Sequence, residues 1–217
     1  MVFDLHLSGQ SGPAAADRLL ALCQGLSLGQ HGALEAVLGL MATGGELHEG
    51  VVEAAAGRLQ AATDAATQRT CVSLLAAIVP AMPGAVAAHL ALVLHAARGG
   101  DAPTQQMACV CVRHVAKGGA VDFKERAGHA TAQLVQGSLV AMVMDTPCPL
   151  EGWHAVAKEA IAALYALLPD PEPAAATLLD AVWRAGGDDG EGVDERALAR
   201  ACTVLGEVAL QQLVCVY

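Results

Sequence analysis

The chain has 217 residues, of which 54% are hydrophobic and 16% are charged, and its formal net charge is −10. This composition excludes an intrinsically disordered chain, because disorder requires low hydrophobicity together with high charge. The acidic balance argues against general nucleic-acid binding, which needs clustered Lys and Arg to displace counterions from phosphates. Alanine and leucine dominate and aromatic residues make up only 3%. The sequence therefore predicts an all-α protein.

Glycine pairs and prolines mark where the predicted helices end and begin. A glycine just past a helix favours the left-handed C-terminal cap, and a proline is tolerated in a first helical turn. The glycine pairs that follow helix-forming runs are Gly44-Gly45, Gly99-Gly100, Gly118-Gly119 and Gly186-Gly187. The prolines at candidate helix starts are Pro13, Pro83, Pro103 and Pro173. In chain order, the ten predicted helices cover residues 13–24, 32–43, 46–62, 65–79, 84–98, 103–117, 122–143, 153–168, 173–185 and 194–216.

Short connections between these helices predict antiparallel hairpins, and three helix pairs recur at residues 65–98, 103–143 and 153–185. The spacing of the pairs is close to the roughly 40–47-residue period of HEAT and armadillo arrays. We therefore expect an α-solenoid of HEAT/armadillo-type antiparallel helix pairs that forms a single helical-repeat segment over residues 1–217. An acidic, Gly-rich linker is expected at residues 186–193. A single helical bundle is the alternative architecture.

The helices predicted at 153–168 and 194–216 have the clearest amphipathic patterns. In the first, apolar residues recur every three or four positions from Trp153 to Leu168. In the second, Leu198, Ala201, Leu205, Val208 and Gln212 follow the same spacing, and Val204 and Leu213 widen the apolar face. The residues expected in the core are Trp153, Tyr165, Val208 and Leu213. Lys158 and Gln211 are surface positions that could contact a partner.

Cysteine usage and hydropathy bear on the cellular compartment. The seven cysteines form no CxxC pair, so they are expected to be free, buried thiols in an intracellular protein. Cys109 and Cys111, two positions apart on a helix, are expected to face different directions. The run from Cys71 to Ala97 has no charged residue, but Pro80 and Pro83 interrupt it, so two buried helices are favoured over a membrane span.

No pattern of catalytic or metal-binding residues is recognisable. His48-Glu49 lacks the second histidine of a zinc-protease motif, and the acidic residues of the linker do not follow the order of a calcium-binding loop. Those acidic residues are Asp188, Asp189, Glu191 and Asp194. Nucleophile elbows and phosphate-binding glycine motifs are also missing from the sequence. We therefore expect a protein that is not an enzyme, with no catalytic, cofactor-binding or metal-binding residues and no small-molecule substrate.

The C-terminal third carries a resemblance to a known family. Residues 153–167 read Trp-His-Ala-Val-Ala-Lys-Glu-Ala-Ile-Ala-Ala-Leu-Tyr-Ala-Leu, followed by a proline-containing turn and a second amphipathic helix with Leu178-Leu179. After the acidic linker, residues 205–214 read Leu-Gly-Glu-Val-Ala-Leu-Gln-Gln-Leu-Val. This order resembles the condensin complex subunit 1 family over residues 150–214 and, more loosely, over 100–145. Glu207 stands where the family usually has His.

The resemblance implies a non-SMC, HEAT-repeat regulatory subunit of condensin, a scaffold in mitotic chromosome condensation. Its protein partners would be the kleisin and SMC subunits, and it would meet chromatin or DNA indirectly or through the complex. It would be located in the nucleus and on chromosomes, with a cytoplasmic pool. Family members are far longer, so this chain is expected to be a fragment or truncated form. An unrelated HEAT or armadillo adaptor, such as a transport receptor or a phosphatase-type scaffold, is the alternative.

Overall fold

The computed structural model describes residues 10–24, 26, 28–121, 126–145, 149–184 and 195–216. All regular structure in these ranges is helical, so the all-α prediction is confirmed. The eleven helices found there are α1 (Gly12–Cys23), α2 (Leu28–Thr43), α3 (Glu49–Ala61), α4 (Ala65–Ile78), α5 (Pro83–Ala87), α6 (Leu90–Arg98), α7 (Ala102–Lys117), α8 (Arg126–Asp145), α9 (Leu150–Leu167), α10 (Glu172–Arg184) and α11 (Glu195–Val216).

Local residue chemistry explains where several helices begin and end. The Asp64 carboxylate caps α4 by accepting the Thr67 amide hydrogen at 2.8 Å, and Asp101 caps α7 by accepting that of Thr104 at 3.1 Å. Gly45 and Gly119 follow α2 and α7 with φ angles of 73° and 61°, which is the left-handed conformation that glycine adopts at low cost. The four prolines expected at helix starts all lie in first turns.

The predicted helix at 84–98 is in fact two helices, α5 and α6, and this corrects the sequence prediction. The chain tightens at Ala88 and His89, where the His89 amide donates to the Val86 carbonyl, three residues back, at 3.0 Å. This shorter bond interrupts the four-residue α-helical ladder. The His89 ring then reaches α3, where its Nε2 lies 3.3 Å from Oε1 of Glu53. The apolar periodicity continues across the break between α5 and α6, so the sequence pattern did not predict the break.

Alternate helices pack against each other along the chain. Taking α5 and α6 as one broken helix, the first series is α1, α3, α5–α6, α8 and α10, and the second series is α2, α4, α7, α9 and α11. Within each series every helix packs on the next, and the largest single interface joins α7 to α9. Among the described residues, every extensive contact joins helices that are no more than three places apart in chain order.

The pairing of consecutive helices differs from the predicted pairs by one helix. The extensive consecutive contacts are α3 with α4, α6 with α7, α8 with α9 and α10 with α11. The sequence units at 65–98, 103–143 and 153–185 would instead join α4 to α5–α6, α7 to α8 and α9 to α10. Among the described residues, α9 packs on α7, α8 and α11, with no extensive contact to α10. A short connection shows that two helices are adjacent in sequence. It does not show whether a helix turns its larger apolar face toward the helix before it or the helix after it.

The core contains three of the four residues expected there, in whole or in part. Trp153 and Val208 are buried, and Tyr165 is partly buried against the core. The prediction for Leu213 is wrong, because its side chain is 58% exposed. The buried face of α11 follows Ala201, Val204 and Val208, which rotates Leu198, Leu205 and Leu213 toward solvent. Apolar residues cover more than half of the circumference of α11, so the sequence alone did not determine which side of the helix is buried.

The first turns of α1 and α3 approach each other closely at two glycines. A Cβ atom at Gly12 would lie 2.5 Å from the Gly50 carbonyl oxygen, which is closer than any real contact. A Cβ at Gly50 would instead lie 3.7 Å from the Gly12 Cα, an ordinary van der Waals distance. The contact between α1 and α3 therefore requires glycine at position 12 but not at position 50.

Candidate functional site

A groove runs along one face of α4, with α7 on one side and α2 and the end of α1 on the other. It consists of two adjoining cavities of about 460 and 270 Å³. Both cavities are lined by His31 of α2 and by Gln106 and Met107 of α7, so they are parts of one concave surface. We call this surface the α4 groove. It belongs to the second series of helices, from α2 through α4 and α7 to α9.

The floor of the groove consists of small side chains on one face of α4. Ala66, Thr70, Ser73 and Ala77 are spaced by four, three and four residues, which aligns them along the helix. Their small size leaves room between the longer side chains of α2 and α7. At about 1.5 Å of rise per residue, this stripe is roughly 16 Å long. An extended polypeptide of about five residues spans the same length.

Charged and polar groups line the end of the groove nearest α9. Nη2 of Arg113 lies 3.2 Å from Oε2 of Glu159, a charge contact without hydrogen-bond alignment. Nε of Arg113 and Nε2 of His31 are buried and have no hydrogen-bond partner among the described residues. Buried polar atoms are normally hydrogen-bonded, and leaving one unpaired costs about 1–3 kcal/mol. A ligand that supplied hydrogen-bonding groups at this end would therefore gain affinity.

The other end of the groove is held by an ion pair between α4 and α7. Arg69 contacts the Asp101 carboxylate, whose second oxygen accepts the Thr104 amide and hydroxyl hydrogens at 3.1 and 2.6 Å. Asp101 therefore caps α7 and fixes it beside α4 at the same time. This arrangement sets the distance between the floor and one wall of the groove.

His114 lines the groove next to Arg113 and is only partly buried. Burial lowers the pKa of its imidazole below the ordinary value, and the positive charges of Arg113 and Lys117 lower this pKa further. This environment favours the neutral ring, which offers one donor and one acceptor instead of two donors.

The surface residues that the sequence suggested for partner contact are not part of this groove. Lys158 is exposed on α9 and Gln211 is half-buried on α11. His48 and Glu49 lie at the start of α3, and the described ranges contain no group of three metal-ligating side chains. The acidic linker residues Asp188, Asp189, Glu191 and Asp194 lie outside the described residues.

Four of the cysteines are buried, as expected. Burial raises the pKa of Cys23 to about 12, that of Cys71 to about 11 and that of Cys111 to about 12, and it also raises that of Cys109. Cys109 and Cys111 are both fully buried although they point in different directions, because α7 packs against α4, α6 and α9. Cys202 contradicts the prediction, since it lies on the solvent side of α11. The side chains of Cys148 and Cys215 lie outside the described part of the chain.

The uncharged run from Cys71 to Ala97 forms parts of α4, α5 and α6. Across the described ranges, no helix is both long enough and apolar enough to cross a membrane.

Sequence reasoning missed the groove residues, although one signal for them was present. The small residues Ala66, Thr70, Ser73 and Ala77 recur at helical spacing along one face of α4. His31, Arg113 and Glu159 belong to three different helices and come together only through the packing of alternate helices.

Compared with known proteins, the chain matches no family model and no curated protein at significant similarity. The resemblance of residues 150–214 therefore depends on its own motifs.

Proposed function

We propose that this chain is a helical-repeat scaffold that binds an extended segment of a partner protein in the α4 groove. The observation that carries the proposal is the groove itself, with a floor of small residues, walls from two other helices and unpaired polar atoms at one end. Its length suits a short extended peptide, and its polar groups can pair with peptide carbonyl and amide groups.

The packing of alternate helices supports a solenoid architecture for this scaffold. In helical-repeat proteins each repeat contacts only its neighbours, and successive helix pairs stack into two parallel series. The contacts here follow that rule, with α3–α4, α5–α6 with α7, α8–α9 and α10–α11 as the stacked pairs. A bundle around one central core would instead bring the first and last helices into extensive contact. We therefore favour the solenoid over the bundle.

The finer proposal is a HEAT-repeat subunit of condensin, and it follows from the resemblance of residues 150–214. These residues form α9, α10 and α11, where Thr203 Oγ1 lies 3.0 Å from Nε2 of His154 and the Arg200 guanidinium lies 4.9 Å from the Trp153 ring centre. In this proposal the peptide in the groove is a segment of the kleisin subunit. The SMC subunits and chromatin are then reached through the complex.

The unrelated adaptor remains the second candidate because of where the groove lies. Its floor and walls are formed by the end of α1, α2, α4 and α7, whereas the closer resemblance to condensin begins at α9 and α7 falls only in the looser stretch at 100–145. Among the lining residues, Glu159 alone belongs to the stretch at 150–214. A peptide from a transport or signalling partner would use the same floor and the same unpaired polar atoms.

A blocked groove tests the proposal directly. In Thr70→Trp, a large ring fills the middle of the floor, and the matched control Thr177→Trp places the same ring at an exposed position of α10. The two threonines are equivalent locally, since each hydroxyl donates to the carbonyl four residues back at 2.8 Å. Tagged chains are purified from dividing cells, and the retained proteins are identified by mass spectrometry.

We expect the wild type and Thr177→Trp to retain the same partners and Thr70→Trp to lose them. Recovery of kleisin and SMC chains would support the condensin proposal, and recovery of transport or signalling proteins would support the adaptor. If Thr70→Trp folds and retains every partner, the groove is not the binding site and the proposal fails.

A further inference from the structure

The outward side of α11 carries a continuous apolar stripe that the proposed function does not use. Its members lie within a sector of about 140°, counted at 100° per residue around the helix. The leucines of the stripe are 44–58% exposed, and its other members are small residues. The stripe consists of Leu198, Cys202, Leu205, Gly206, Ala209, Leu210 and Leu213. We call it the α11 stripe. From Leu198 to Leu213 this sector contains no charged residue, although the chain has a net charge of −10, and Glu195 lies on the same side in the first turn of the helix.

The opposite side of α11 is fixed to α9, which leaves the stripe facing solvent. Ala201, Val204 and Val208 are buried, and Arg200 lies over the Trp153 ring. Arg200 and Glu207, the two charged residues in the central part of the helix, lie on the flank away from the stripe. An exposed apolar patch bordered by charge marks an interaction surface more often than chance placement does.

The residue order of the stripe is self-complementary. A two-fold axis placed between Leu205 and Gly206 makes position i of one helix face position 411 − i of an antiparallel copy. Leu205 then lies against Gly206 of the copy, where a Cβ would meet no atom within 4 Å. Leu198 faces Leu213, and Cys202 faces Ala209. The leucines near the axis therefore meet the single glycine or each other, and the small residues Cys202 and Ala209 lie at the centre line. Leu210, whose counterpart would be the buried Ala201, lies at the edge of the contact.

We propose that two copies of this chain associate through antiparallel contact of their α11 stripes. A parallel arrangement would place Leu205 against Leu205 and Gly206 against Gly206, which leaves an unfilled gap at the glycines. The small residues Cys202 and Ala209 allow the helix axes to approach to about 8 Å, the short end of the usual range. The contact patch measures roughly 22 by 10 Å, so the dimer belongs to the small, concentration-dependent class.

The mass of the chain in solution tests association. We expect about twice the 22.0 kDa chain mass at high protein concentration, falling toward 22.0 kDa on dilution. Leu205→Lys and Leu213→Lys should remain monomeric at every concentration, because each buries a charge in the contact. The control Leu40→Lys changes a leucine of α2 that is 74% exposed, and it should associate like the wild type. A monomeric wild type at its highest soluble concentration would overturn the proposal.

A disulfide test reports the antiparallel register without disturbing the contact. Cys148 and Cys215 are replaced by serine, and diamide accepts the two electrons and two protons that disulfide formation releases. Ala209→Cys should crosslink rapidly to Cys202 of the second copy, since facing positions meet the Cα separation of less than about 7 Å that a disulfide needs. In the parent, two Cys202 residues would lie about 10 Å apart along the axis and should not crosslink.

Leu40→Cys in the same background is the control for random collision between exposed thiols. Crosslinking of Ala209→Cys that is no faster than that of Leu40→Cys overturns the antiparallel pairing. Association that persists unchanged in both Leu205→Lys and Leu213→Lys shows that copies meet through another surface, and it overturns the proposal as well.

Discussion

Trp153 shows how one side chain joins three helices of this protein. Its ring is fully buried on α9, its Nε1 donates to the Val143 carbonyl of α8 at 2.8 Å, and the Arg200 guanidinium of α11 covers its face. The hydrogen bond satisfies the one polar atom of the indole, so burial of this large ring is favourable throughout. The sequence predicted the burial from periodicity, but it gave no indication of the two polar contacts.

Replacing Trp153 should therefore be among the costliest single changes. We expect Trp153→Ala to lower the free energy of unfolding by about 3–5 kcal/mol, because the substitution leaves a large cavity and an unpaired carbonyl. Trp183→Ala is the matched control, since Trp183 is 60% exposed and its loss should change stability by less than about 0.5 kcal/mol. Urea unfolding followed by circular dichroism measures both. Equal losses in the two variants would contradict this account of the core.

His114 should make stability depend on pH near neutrality. Its folded-state pKa lies below the ordinary value, so the unfolded chain binds more protons as the pH falls below about 6.5. The free energy of unfolding should therefore be lower at pH 5.5 than at pH 7.5, and His114→Gln should reduce this difference. Urea titrations at both pH values measure it, with the exposed His95→Gln as the control. A pH dependence that is unchanged in His114→Gln would exclude this residue as its source.

At the scale of helices, sequence located most elements because their punctuation is local. Asp64 and Asp101 cap helices through bonds that span three residues, and Gly45 and Gly119 end helices through their own φ angles. Such signals can be read directly from the chain. The break at His89 could not be, because it is accompanied by a contact with Glu53 on another helix. The phase of α11 was missed for a similar reason, since packing on α9 selected one of two apolar sides.

The two aspartate caps should differ in importance because only one has a second role. Asp101→Ala removes the cap of α7 and the ion pair with Arg69, and we expect it to lower the free energy of unfolding by about 1–2 kcal/mol. Asp64→Ala removes a cap that is fully exposed and contacts only its own helix, so its effect should be smaller. Thermal unfolding of both variants compares them. A larger loss in Asp64→Ala would show that the ion pair contributes nothing.

At the scale of the whole molecule, neighbour-to-neighbour packing limits how far a disturbance travels. Extensive contacts of α9 reach α7, α8 and α11, whereas α1 packs on α3 and α4. Sequence could not establish this connectivity, because the choice between adjacent and alternate partners depends on how the apolar faces of α4, α7 and α9 meet in three dimensions. The α4 groove was missed for the same reason, since it exists only where α2 and α7 flank α4.

Local packing predicts a local response to a core defect. In Trp153→Ala, amide hydrogen exchange should accelerate in α7, α8, α9 and α11, and rates in α1 and α3 should stay near those of the wild type. Exchange followed by mass spectrometry of peptic fragments measures this in the full chain. Uniform acceleration across all helices would indicate a single cooperative core and would contradict the proposed repeat architecture.

The close approach of α1 and α3 has a consequence for how this sequence can diverge among descendants. The carbonyl oxygen that a side chain at position 12 would strike belongs to a backbone held in the first turn of α3, so it cannot rotate away as a side chain can. Position 50 has no such obstacle and can accept alanine. Selection should therefore keep one glycine of this pair invariant and leave the other free to drift. Two residues that look interchangeable in the sequence would then have very different histories.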